Sequence, residues 1–162
     1  MKKFAVPLLA FVLTGCATYN PVAPDYSGPT AVIRDTGFNE DSTKAQIFAV
    51  TAVDGNRIGN AFAGTAMASQ GRGALITAVY PERKVPVRQM KLTLRGSHAT
   101  GAPIHALASQ MAGTFFSVED TVDFLPEADH VYLVKGELKK EKSSVWIEDA
   151  ATGKPVTQVV TK

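Results

Sequence analysis

The chain has 162 residues, with 17 Lys and Arg against 15 Asp and Glu, 45% hydrophobic residues and one cysteine, Cys16. This length is sufficient for one domain with its own core. A single cysteine excludes an intramolecular disulfide, and the nearly balanced charge gives no basic signal for a nucleic-acid partner.

The amino terminus predicts a signal peptide over residues 1–15. Lys2 and Lys3 supply two positive charges, and residues 4–13 form an uncharged apolar run. About 20 apolar residues are needed to cross a bilayer as a helix, so this run is too short for a permanent span. A basic start followed by a short apolar segment is typical of a cleaved secretory signal.

The stretch Leu13-Thr14-Gly15-Cys16 resembles the lipobox of bacterial lipoproteins. The resemblance implies that the Cys16 thiol receives diacylglycerol, that a signal peptidase cleaves between Gly15 and Cys16, and that the new amino group is acylated, for example with palmitate. It therefore implies a membrane partner, held through the lipid on Cys16. Ala17 after the cysteine implies the outer membrane, with the domain facing the periplasm. The alternative is an unmodified Cys16 at a conventional cleavage site or in a buried segment.

Cleavage before Cys16 leaves 147 residues with 15 basic and 15 acidic side chains, so the mature chain has no formal net charge. Residues 18–30 contain three prolines and one glycine, a composition that favours extended, unpaired backbone. We therefore expect a lipidated tether over residues 16–30 and a single β domain over residues 31–162. A disordered leader is the alternative for the tether.

Short apolar segments separated by turn residues predict a series of strands. Asp54-Gly55 after a β-type run predicts a hairpin, because glycine adopts positive φ without a Cβ clash. Residues 59–74 show no hydrophobic period and are expected to form a flexible loop or a wide hairpin. Residues 104–111 fit a helix or a strand. The expected strands are residues 31–35, 45–53, 75–80, 87–95, 116–124, 132–138, 145–148 and 156–160.

For three of these strands the sequence makes a more specific prediction. Gly96-Ser97 should end the strand that begins at residue 87, and Asp120 is a candidate bulge. Gly136 marks a place where another group approaches the backbone closely. Residues 139–144 form a charged turn.

Short strands without a convincing long amphipathic helix predict an all-β fold, either an antiparallel β-sandwich or a partly open barrel. Residues 45–96, with Val53-Asp54-Gly55 and Val85-Pro86, are similar to the transthyretin-like β domains of the PEGA type found in bacterial lipoproteins. This similarity favours the sandwich and implies no activity, since a fold does not fix a function.

No catalytic, cofactor-binding or metal-binding residues are predicted. His98, His105 and His130 lack the spacing of zinc ligands and are expected at the surface or in turns. No serine lies in a G-x-S-x-G elbow. In the acid pairs Glu119-Asp120 and Glu148-Asp149, neighbours on a strand point to opposite faces.

Three residues are candidates for contact with a ligand or partner. Trp146 would either stack on a sugar ring of the envelope or fill the core. Lys139 and Lys140 would either approach anionic groups or lie in a solvated turn.

The sequence therefore predicts a lipid-anchored envelope protein whose β domain is a non-catalytic structural or partner-binding module, the partner being an envelope protein or a cell-wall polymer. The alternatives are a periplasm-facing cell-wall hydrolase, which needs convergent acids or a His with an acid, and a carrier with an apolar cavity.

Overall fold

The computed structural model describes residues 18–162. Ten strands and two helices lie within this range. In chain order they are β1 (Thr30–Arg34), β2 (Thr36–Asn39), β3 (Lys44–Val53), β4 (Asn56–Arg57), α1 (Ala61–Ser69), β5 (Glu82–Pro86), β6 (Met90–Thr100), α2 (Pro103–Met111), β7 (Ser117–Phe124), β8 (Val131–Glu137), β9 (Ser144–Asp149) and β10 (Val160–Thr161).

The strands form two open sheets that pack face to face. Sheet A has the order β10-β9-β8-β1-β5, and sheet B has the order β2-β3-β6-β7 with β4 paired to β3. Neighbouring strands are antiparallel except β1 and β8, which are parallel. This arrangement confirms the predicted all-β sandwich. It differs from a purely antiparallel sandwich only in the parallel pair β1 and β8.

The main core fills the space between the sheets with alternate residues of each strand, as a half-buried strand requires. Phe48 of sheet B places its ring against Gly136 of sheet A and Gly96 of its own sheet. A side chain at residue 136 would occupy the position of that ring. The close approach expected at Gly136 is therefore confirmed. The largest fully buried side chains of this core are Ile33, Leu92, Leu94 and Ile147.

One continuous stretch of chain joins the two sheets. β1 belongs to sheet A and β2 to sheet B, and only Asp35 separates them. Asp35 is fully buried. Its carboxylate accepts two bonds from the Arg83 guanidinium, at 2.8 and 2.6 Å, and one each from the backbone amides of Val50, at 3.1 Å, and Ala61, at 2.8 Å. The side chain thus connects β3, β5 and the first residue of α1.

The charge state of Asp35 results from opposing effects. Burial raises the pKa of this carboxyl, whereas the ion pair with Arg83 and the two amide bonds favour the charged form. Arg83 is itself nearly buried. Removing either partner therefore leaves a charge in a low-dielectric interior.

Helix α1 contradicts the prediction of a flexible loop or wide hairpin over residues 59–74. Asn60 begins the helix: its side-chain oxygen accepts from the amides of Phe62, at 3.0 Å, and Ala63, at 3.2 Å. This is an N-cap, which satisfies amides that have no partner within a helix. The buried positions are small and only weakly apolar, so they produce no hydrophobic period: Ala61, Thr65 and Ser69.

The predicted strand over residues 75–80 is also wrong. This segment follows α1. The Ile76 amide donates to the Ser42 carbonyl at 2.9 Å, and two further amides bond to side chains of the helix. Thr77 donates to Ser69 Oγ at 2.9 Å, and Val79 donates to Thr65 Oγ1 at 3.0 Å. Because these two amides bond to hydroxyl groups and not to the carbonyls of a neighbouring strand, this apolar segment forms no strand.

Two details of sheet B differ from expectation. β6 continues beyond Gly96, where the absence of a side chain makes room for the Phe48 ring. The register between β6 and β7 is unbroken, so Asp120 is not a bulge. The irregularity lies instead in β3, between Val50 and Ala52. In sheet A, the last expected strand, residues 156–160, is reduced to the two residues of β10.

The strand directions give the sandwich two ends. We call one the proximal end, because the described chain begins there; it carries the Asp54-Gly55 turn, residues 87–89 and residues 125–130. The other is the distal end, which carries α2 and residues 138–143. The ten residues of β3 separate the two ends by about 33 Å, at ~3.3 Å per residue.

We predict that Asp35→Asn lowers the free energy of unfolding by about 3–5 kcal/mol, because it leaves the Arg83 charge buried without a partner. The matched control is Glu82→Gln, which breaks the neighbouring but exposed Arg34–Glu82 ion pair and should cost less than about 1 kcal/mol. Denaturant unfolding followed by Trp146 fluorescence measures both. A cost for Asp35→Asn no greater than that of the control would contradict the role given to this carboxylate.

Candidate functional site

The predicted lipidation site, Cys16, and the cleavage position after Gly15 lie outside the described residues. The described chain starts at Thr18, whose methyl group lies beside Gly59. The amide of the next residue, Tyr19, donates to the carbonyl of Arg57 in β4 at 3.3 Å. The chain therefore meets the proximal end two residues after Cys16.

The described part of the predicted tether is residues 18–30. Residues 18–29 contain no helix or strand, whereas Thr30 already belongs to β1. Their far end also contacts the domain, since the Val87 amide donates to the Pro29 carbonyl at 3.0 Å. The Tyr26 hydroxyl donates to the same carbonyl at 2.9 Å. This segment thus begins and ends in contact with the proximal end.

Lys139 and Lys140 lie together in a groove of about 290 Å³ at the distal end. The loop that carries them is fixed by Ser143, whose buried hydroxyl accepts from the Lys139 amide at 3.2 Å and donates to the Lys139 carbonyl at 3.1 Å. The Lys139 ammonium pairs with Glu137 at 2.6 Å. The groove is lined by Phe115, Phe116, Ser117, Lys139, Lys140, Glu141, Ser143 and Lys162.

Helix α2 also belongs to the distal end, and it resolves the choice that the sequence left open for residues 104–111. None of its residues is buried. Ile104, Leu107 and Met111 are exposed by 65%, 52% and 82%, and their spacing places them on one face of a helix. A second groove of about 390 Å³ runs along α2 and includes Ile104 and His105. The distal end therefore combines an exposed apolar stripe with lysines.

Trp146 lies apart from the two lysines. It occupies the outer face of sheet A, opposite Lys135 of β8, and is half-buried. Its indole Nε1 is buried and makes no hydrogen bond within residues 18–162. Trp146 is thus not part of the core between the sheets, and the structure does not bring it into the groove of Lys139 and Lys140.

A third groove, of about 540 Å³, opens on the outer face of sheet B near the proximal end. Arg95 lies over the Phe62 ring at 4.8 Å from its centroid and pairs with Glu119 at 3.5 Å. Arg57 lines the same groove. The sequence does not predict this groove, because its wall is α1, which has no hydrophobic period.

His98 is buried, which contradicts its expected position at the surface. Its Nδ1 accepts from the Phe116 amide at 2.9 Å, and its Nε2 lies 3.0 Å from Glu40 Oε1. Because Nδ1 accepts, Nε2 carries the proton and donates to the carboxylate. Burial lowers the pKa of His98 below its ordinary value, and the bond to Glu40 opposes this effect. The residue is a neutral connector between β6, the β2–β3 loop and the start of β7.

His130 forms the second pair of a histidine with an acid. Its Nδ1 lies 2.8 Å from Asp149 Oδ2, and Glu127 lies 3.4 Å from its Nε2. The bond to Asp149 raises the pKa of His130 and lowers the pKa of Asp149. Asp149 also accepts from the amides of Ala151 and Thr152, both at 2.9 Å. The pair therefore fixes the turn after β9.

The two histidine–acid pairs lie outside all three grooves. Among residues 18–162, no three His, Cys, Asp or Glu side chains are grouped as metal ligands. No helix in the described range has the length and apolar character needed to cross a bilayer. Comparison of the chain with protein-family models, curated proteins and solved structures finds no match.

The His130–Asp149 pair predicts a pH dependence of stability. The pKa of His130 in the folded protein lies above its value of about 6.5 in the unfolded chain. The pair therefore contributes its full stabilisation below about pH 6.5 and loses it as the pH rises through the folded-state pKa. The difference in unfolding free energy between wild type and His130→Asn should therefore shrink as the pH rises above about 6.5.

Denaturant unfolding across this range measures the difference, and Asp149→Asn supplies the control background. Without the carboxylate, His130→Asn should give a difference that changes less with pH, because only the weaker attraction of Glu127 and Asp129 still favours the charged imidazole. A difference in the wild-type background that stays constant or grows toward high pH would contradict the assignment.

Proposed function

We propose that the chain is a lipid-anchored bacterial envelope lipoprotein whose β-sandwich is a non-catalytic, partner-binding module. The lipid on Cys16 would hold it at the outer membrane, with the domain on the periplasmic side. The partner would be an envelope protein or a cell-wall polymer.

One observation carries this proposal: the candidate anchor and the candidate contact residues belong to opposite ends of the sandwich. Thr18, two residues after Cys16, contacts the proximal end, whereas Lys139 and Lys140 line a groove at the distal end. A domain held at its proximal end leaves its distal end free to meet another component.

The composition of the distal end supports a partner with anionic and apolar groups. Lys140 and Lys162 line the groove beside Phe115 and make no ion pair among the described residues. The exposed stripe of α2 adds apolar surface at the same end. Exposed apolar patches rimmed by polar residues mark interaction surfaces.

The hydrolase and carrier alternatives gain no specific support. Both histidine–acid pairs connect structural segments and lie outside the grooves, and the space between the sheets is filled by the side chains of the core.

We expect Cys16→Ser to abolish acylation of the chain and its sedimentation with the envelope. Two or three acyl chains hold a protein firmly on a membrane, whereas the domain alone has no comparable anchor. Radiolabelled palmitate incorporation and membrane fractionation measure both effects, with Ser27→Ala as the matched control in the same segment. Unchanged labelling and sedimentation of Cys16→Ser would contradict the anchor.

We expect a photo-crosslinking amino acid at position 140 to trap a partner in intact cells. The control position is Lys84, an equally exposed lysine on the outer face of sheet A. Identification of the same adduct from both positions would show that capture is unspecific and would contradict the proposal.

Charge reversal tests the same groove in vitro. Each lysine near an anionic surface contributes about 1 kcal/mol, so Lys139→Glu with Lys140→Glu should weaken binding to purified cell-wall polymer, or to the trapped protein, by about tenfold or more. Lys84→Glu with Lys154→Glu, which makes the same change of charge elsewhere, should have little effect. Equal losses in both double variants would assign the binding to net charge and not to the groove.

A further inference from the structure

We infer that the proximal end of the sandwich rests directly on the head-group layer of the membrane that holds Cys16, with Tyr19, Tyr26 and Leu125 as contact residues. This inference rests on the proposed lipid anchor and adds the orientation of the β domain relative to the membrane. The tether interpretation of residues 16–30 would instead separate the domain from the lipid.

The first argument is the length of chain between the lipid and the domain. Only Ala17 separates Cys16 from Thr18, so their Cα atoms lie at most about 7 Å apart. Thr18 contacts Gly59, and the Tyr19 amide is bonded to the Arg57 carbonyl. Residues 18–29 begin at the domain surface and therefore add no length between lipid and domain.

This link is short compared with the domain. The distal end lies about 33 Å from the proximal end along the strands. The acyl chains fix Cys16 at the depth of the head groups. Because the connection from Cys16 to the domain is only about 7 Å long, the proximal end stays beside the lipid however the domain is tilted.

The second argument is the kind of side chain that the proximal end exposes. Tyr19 and Tyr26 are each 37% exposed, and Leu125 is 62% exposed. Tyrosine is enriched at membrane–water interfaces, where its ring contacts apolar groups and its hydroxyl remains hydrated. Leu125 follows β7 directly, and Phe124, the last residue of β7, pairs with Met90. Leu125 thus belongs to the same end as the two tyrosines.

The proximal end also provides a cation for the lipid phosphates. Arg57 is exposed and makes no ion pair within the described part of the chain. A basic side chain close to anionic head groups is stabilised by about 1 kcal/mol. Glu127 and Asp129 are also exposed at this end, so the contact with the head groups is assigned mainly to the two tyrosines and Leu125, with Arg57 beside a lipid phosphate.

The experiment uses the acylated protein, purified from the envelope and reconstituted into vesicles of phosphatidylethanolamine and phosphatidylglycerol in equal amounts. The thiol of Cys16, the only cysteine, is consumed by the lipid, so an engineered cysteine is the single labelling site. Asn56→Cys and Leu125→Cys place a fluorophore at two exposed sites of the proximal end. Gln110→Cys places it at an exposed site of the distal end as the matched control.

Quenching by lipids that carry a spin label on the head group reports distance from the membrane surface. We expect quenching at residues 56 and 125 to exceed that at residue 110 by at least about threefold, since the ends are separated by about 33 Å. Equal quenching at all three sites, or quenching at residue 56 but not at residue 125, would overturn the inference.

A longer link tests the geometric argument separately. Insertion of a flexible Gly/Ser segment of about twenty residues between Ala17 and Thr18 should reduce quenching at residue 56 toward the value at residue 110. An unchanged ratio would overturn the role given to the short link.

Mass spectrometry of each variant separates this inference from the proposed function on which it rests. A chain without acyl groups on Cys16 would overturn both. Acyl groups on Cys16 together with equal quenching would overturn the orientation alone.

Discussion

The buried carboxylate of Asp35 is the interaction on which the rest of the fold depends. Where a strand passes from one sheet to the other, some backbone amides near the crossing have no partner in either sheet. Buried amides need an acceptor. Asp35 stands at this crossing and accepts from the amides of Val50 and Ala61. Arg83 supplies the opposite charge from β5. One side chain therefore fixes the crossing strand, the irregular part of β3 and the start of α1.

This crossing also determines how the two ends of the molecule differ. Because β1 and β2 run in one direction through both sheets, the segment before β1 lies at the proximal end, and the β2–β3 loop lies at the distal end beside α2. The hydroxyl of Thr36 donates to the Val134 carbonyl of sheet A, which connects the sheets again directly after the crossing. In the proposed function, this crossing holds the distal loops in a fixed position relative to the proximal end, where the chain is anchored.

Local patterns predict the parts of this fold whose cause is local. Period-two alternation at Met90, Leu92 and Leu94 marks a strand with one buried face, and Asp54-Gly55 has the two positive φ values of a tight hairpin. The role of Asp35 is not predictable in this way, because its partners lie 15 to 48 residues away in the sequence.

Helix α1 shows a second limit of pattern reasoning. A helix that packs on Ala45 and Ala49 of sheet B needs small residues to approach closely, and Gly64, which faces Val79, serves the same purpose. A hydrophobic period requires large apolar side chains on one face. The tight packing that stabilises α1 is thus also the reason that its sequence resembles a loop. The groove beside α1 is not predictable for the same reason, whereas the run of lysines in the distal loop is visible in the sequence without knowing its neighbours.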